Sequence, residues 1–89
     1  MVDNPRRRAN KRNAERRRGL ELLAGSPDGR TEAIILAHGF TTGFLVDLIH
    51  AGLATSQTER AVAGGRSTQV TRMRITVPGR RALAELRWP

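Results

Sequence analysis

Residues 64–83 read Gly64-Gly65-Arg66-Ser67-Thr68-Gln69-Val70-Thr71-Arg72-Met73-Arg74-Ile75-Thr76-Val77-Pro78-Gly79-Arg80-Arg81-Ala82-Leu83. Gly64-Gly65 is a two-residue turn signal, because the tight turns of β-hairpins favour glycine. From Arg72 onward the residues alternate: Met73, Ile75 and Val77 are apolar, while Arg72, Arg74 and Thr76 are polar. A period of two belongs to a strand with one buried face, so the three apolar side chains are expected inward and the two arginines outward. The preceding stretch, with Thr55, Thr58 and Val62, supplies the partner strand. A two-residue turn then sets Gln57 opposite Arg72 and Thr55 opposite Arg74. Thr76 is placed to cap a final helix that tolerates Pro78 in its first turn, with Ala82, Leu83 and Leu86 as its core contacts.

Upstream of the hairpin the period is helical. Leu20, Leu22, Leu23 and Ala24 form a short apolar segment ending at Gly25, followed by the turn signal Ser26-Pro27-Asp28-Gly29. Thr31 is a good N-cap with Glu32 in the first turn of a second helix, whose buried side is expected from Ile34, Ile35, Leu36 and Ala37. Gly39 can take the left-handed conformation that stops it. Thr41 or Thr42 caps a third helix with Phe44, Leu45, Leu48 and Ile49 on one face, ending at Gly52. Its other face offers Gly43, Val46, Asp47 and His50. Two short helices joined by a tight Gly-containing turn make a helix-turn-helix.

The charge is unevenly spread. Of 89 residues, 16 are Lys or Arg and 8 are Asp or Glu, a formal net charge of +8. Arg6, Arg7, Arg8, Lys11, Arg12, Arg16, Arg17 and Arg18 face only Asp3 and Glu15 within residues 1–18. Residues 19–58 are net acidic, and residues 59–89 are basic again through Arg60, Arg66, Arg72, Arg74, Arg80, Arg81 and Arg87. Two basic ends around an acidic middle point to a polyanion partner, nucleic acid before an acidic protein or membrane surface. Between Pro5 and Arg18 the only apolar side chains are Ala9 and Ala14, so residues 1–18 are expected to be a disordered or nascent-helical arm. Asn4-Pro5 is a possible helix start. Residues 19–89 form the single domain that this length allows, with a modest core.

Helix, helix-turn-helix, β-hairpin, helix is the order of a winged helix. The run Ile75-Thr76-Val77-Pro78-Gly79-Arg80-Arg81-Ala82-Leu83 resembles the I/L-T-x-x-G-R-x-A-L segment that follows the wing in MarR- and PadR-like transcriptional regulators. Thr31 to Leu53 resembles their helix-turn-helix, with Gly52-Leu53 closing the recognition helix. The resemblance spans roughly residues 20–87. It implies an α+β fold of three helices, a β-hairpin wing and a short C-terminal helix. It also implies that the third helix enters the major groove of duplex DNA, presenting Thr41, Thr42, Gly43, Val46, Asp47 and His50. The wing, with Arg60, Arg66, Arg72 and Arg74, would reach the backbone or minor groove. Independently of the resemblance, the charge of the arm points to phosphate binding by its arginines and Lys11. This chain departs from the pattern at the recognition face, which has no arginine to read guanine and carries Asp47, a residue repelled by phosphate. Base readout by that helix is therefore expected to be weak, with arm and wing contacts dominating.

Other chemistry has little support. The chain has no cysteine, which removes disulfides and thiolate metal sites. His38 and His50 have no metal-ligand spacing around them; His38 suits a helix C-terminus, and His50 a solvated helix face or a partner contact. Gly39-Phe40-Thr41-Thr42-Gly43 lacks the ending of a P-loop. Ser26, Ser56 and Ser67 sit in no nucleophile motif. No catalytic residue, metal or cofactor is expected, and the reading is non-enzymatic. Trp88 is expected at the core edge or in a dimer contact. No apolar run approaches the ~18–20 residues of a membrane span and there is no signal-peptide core, so a cytoplasmic location is expected. Duplex DNA is the expected partner, with RNA or a protein as alternatives and a homodimer open. The runner-up reading is a winged-helix protein–protein module tethered to nucleic acid by the basic arm.

Overall fold

The computed structural model describes residues 5–87. The elements are α1 (Pro5–Ala24), β1 (Arg30–Thr31), α2 (Glu32–Ala37), α3 (Thr42–His50), β2 (Ala54–Ala63), β3 (Arg66–Ile75) and α4 (Val77–Arg87). The fold is α+β: four helices and a three-stranded antiparallel sheet in the order β1-β3-β2. Asn4 and Trp88 lie outside the described residues, and so do their expected roles. No helix among the described residues is long and apolar enough to cross a membrane.

The hairpin register follows from the turn. Gly64 (φ 59°) and Gly65 (φ 78°) both take positive φ, and Gln57 pairs with Arg72 and Thr55 with Arg74. The outer half of β3 is exposed, whereas Met73 near its base is buried, so the tip stands clear of the core. Val77, expected inward, is 64% exposed. The strand ends at Ile75 and Val77 opens α4, so the period of two no longer governs it.

The core gathers Leu20 and Leu23 of α1, Ile35 of α2, Phe44, Leu45 and Leu48 of α3, Leu53, Ala54, Met73, and Leu83 of α4. Leu36, Ile49, Ala82 and Leu86 pack partly buried against it. Ile34, expected on the buried side of α2, is 43% exposed, and Ala37, expected there too, is exposed as well. At 3.6 residues per turn, successive side chains lie about 100° apart, so four consecutive apolar residues cannot all face one way.

Threonines start three helices. Thr31 Oγ1 accepts from Ile34 N, and Thr41 Oγ1 accepts from Phe44 N at 3.1 Å. Thr76 Oγ1 accepts from Gly79 N at 2.9 Å and donates to the Gly52 carbonyl at 2.7 Å, while Thr76 N donates to the Leu53 carbonyl at 3.1 Å. One side chain thus caps α4 and ties it to the turn that leaves α3. Thr76→Ala should lose about 1–2 kcal/mol of stability in chemical denaturation, and Thr76→Ser should recover most of it.

Candidate nucleic-acid interface

The basic arm is not set apart from the domain by a break in secondary structure. One 20-residue helix, about 30 Å long, runs through the expected boundary between residues 18 and 19. Arginine and alanine are strong helix formers, and the helix is anchored at its far end by Leu20 and Leu23. Gly19 is a packing contact. A Cβ there would lie 2.7 Å from the Phe44 ring, so its absence lets α1 press against α3. Phe44 in turn stacks on Phe40, with ring centroids 5.1 Å apart, and the Arg18 guanidinium lies 5.9 Å from the Phe40 centroid. Gly19, expected to open the domain, thus lies inside the helix as a packing position.

Arg6, Arg8, Lys11, Arg12, Arg16, Arg17 and Arg18 are all exposed. The Arg7 side chain lies outside the description. Helical geometry distributes these cations around α1, so the flanks of the helix differ. On one side, Arg12, Glu15 and Arg16 line an open hollow together with Phe44 and Asp47 of α3. On another, Asn13 and Arg17 line a hollow with Glu85 and Leu86 of α4. Of the arm cations, Arg12 and Arg16 therefore share a surface with α3.

Thr42, Gly43, Val46, Asp47 and His50 form the exposed face of α3, and the N-cap Thr41 is exposed beside them. Phe44, Leu45 and Leu48 take the opposite, buried face. Asp47 does not stand alone on that surface, because Arg12 and Arg16 border the same hollow. His38 caps α2, and its ring Nδ1 lies 2.8 Å from the Ile34 carbonyl.

The four hairpin arginines are not brought together. Strand alternation puts Arg66, Arg72 and Arg74 on the face opposite Met73, whereas Arg60 pairs with Gln69 on the Met73 side. Arg72 is half-buried; its Nε donates to Glu59 Oε2 at 3.3 Å and its NH1 to the Gly29 carbonyl at 3.4 Å. Arg74 Nε donates to the Asp28 carbonyl at 3.1 Å. Both arginines thus fasten the 26–29 turn to β3, a contact across more than 40 positions of sequence that local patterning does not reveal. Arg60 and Arg66 remain exposed toward the tip.

No protein-family model, no curated protein and no solved structure matches this chain.

Proposed function

We propose that this is a small, non-enzymatic DNA-binding protein of winged-helix type, a transcriptional regulator or accessory chromosomal protein. The observation that carries the reading is the arrangement around α3. A short helix and tight turn precede it, a hairpin of two ten-residue strands follows it, and Arg12 and Arg16 of the most basic segment share a hollow with its Phe44 and Asp47. The sheet order β1-β3-β2, with a long hairpin at its edge, supports the winged-helix assignment. In this mechanism α3 docks at the major groove, the α1 cations neutralise phosphates, and Arg60 and Arg66 at the hairpin contact the backbone. Arg72 and Arg74 contribute less, since each already donates to the body of the domain. With no arginine on the exposed face of α3, affinity comes mainly from charge and DNA shape.

A second reading is favoured by Val46, which is 41% exposed beside Asp47: a docking face for a protein partner, with α1 holding nucleic acid. Fluorescence anisotropy of labelled duplex DNA with Asp47→Arg separates the two. The DNA reading expects equal or tighter binding, by up to about tenfold, because a carboxylate facing phosphate becomes a cation. A several-fold weakening in a folded variant contradicts the placement of α3 at DNA. Unchanged DNA affinity together with loss of a co-purifying partner favours the second reading.

A further inference from the structure

A flexible polycation needs only its net charge, whereas a helix fixed against the domain can present selected cations at a set place. Three observations fix this one. Gly19 lets α1 press on the Phe44 ring, Leu20 and Leu23 are buried at 0% and 1% exposure, and α1 reaches the hollow beside Asp47 through Arg12 and Arg16. Arg12 and Arg16 are one helical turn apart on the same flank, and Arg8 continues the row by another turn.

Placing two guanidiniums one turn apart is unfavourable by itself, since like charges at i, i+4 repel. Glu15 and Asp47, on the same rim, offset part of that repulsion while both arginines stay exposed. The arrangement keeps two cations close to α3 without consuming them in a buried pair.

We propose that Arg12 and Arg16 form a phosphate-contact row in fixed register with the exposed face of α3, so that α1 and α3 grip one duplex DNA as a single rigid surface. This rests on the DNA-binding reading above and adds to it a requirement on position. Which face of α1 carries the cations matters, and the total charge does not suffice. A duplex lying with its groove on α3 has a phosphate strand at the edge of that groove, and the row on the α3 side of α1 meets it. Lys11 and Arg17 do not line that hollow and act through the general field.

The test is a permutation within α1 of the full chain. The variant Arg12→Asn, Asn13→Arg, Ala14→Arg, Arg16→Ala keeps composition and net charge while moving two cations off the α3 flank. Binding to a short fluorescein-labelled duplex DNA of mixed sequence is measured against salt, with circular dichroism to verify helix content. The expected result is at least about tenfold weaker binding and a log–log salt slope shallower by about 2, as for the loss of two phosphate contacts. Equal affinity and slope in the permuted variant would overturn the proposal and leave α1 as a charge-only tether. Failure of the unaltered chain to bind duplex DNA would overturn the DNA-binding reading itself, and the register with it. Should the permuted chain unfold, the pair Arg12→Gln/Arg16→Gln against Lys11→Gln/Arg17→Gln decides at equal charge loss. The first pair is expected to weaken binding several-fold more than the second, and equal effects would overturn the proposal.

Discussion

Gly79→Ala should destabilise the fold by about 3 kcal/mol, a large fraction of the ~5–15 kcal/mol that holds a small domain together. Gly79 is buried in the first turn of α4 against the exit from α3. A Cβ there would overlap the Leu53 carbonyl oxygen and lie 2.7 Å from Ile75 Cγ1. The carbonyl cannot retreat freely, because it accepts from Thr76 N. Relief requires α4 to shift, which loosens the Thr76 cap and the burial of Leu83. Helix propensity alone argues the opposite sign, since Ala is favoured over Gly by about 1 kcal/mol. Thermal unfolding therefore discriminates sharply: a fall of more than about 10 °C is expected, and a variant as stable as the parent would show that the close approach is not required.

The second large effect concerns α1. Replacing Arg6, Arg7, Arg8, Lys11, Arg12, Arg16, Arg17 and Arg18 with Gln removes eight positive charges and brings the formal net charge of +8 to zero. Gln is a good helix former and the repulsion among neighbouring cations disappears, so helicity should hold or rise. Affinity for duplex DNA should nevertheless drop by at least about 10³-fold at moderate salt, because counterion release supplies most of non-specific binding. Retained affinity in that variant would shift the binding to the hairpin, where Arg60 and Arg66 are exposed.

The parts of the molecule legible in the sequence are those governed by local rules. Gly64-Gly65 sets a turn length, and turn length sets register, which is why the pairing of Gln57 with Arg72 could be read directly. Thr31, Thr41 and Thr76 precede helices and cap them, and the apolar spacing of Phe44, Leu45 and Leu48 identifies the buried face of α3. The rest depends on contacts distant in sequence. β1 has two residues, too few for any periodicity, and exists because Arg30 and Thr31 pair with Met73 and Arg72. The continuity of α1 is invisible to apolar patterning, since residues 6–18 offer only alanines among charges and asparagines. Arg72 and Arg74 read as free outward cations, yet the turn at Asp28 and Gly29 folds back onto them. The proximity of Arg12 and Arg16 to Asp47 follows from tertiary packing, with Gly19 on Phe44 and Leu20 and Leu23 in the core.

The most direct test of duplex DNA binding through the α1 cations is a salt titration of the full chain against labelled duplex DNA. With six or more phosphates neutralised, affinity should fall linearly on a log–log plot with a slope of about −5 or steeper, losing about 10³-fold or more between 50 and 200 mM salt. An affinity that does not change with salt, or no binding at low salt, would contradict the account.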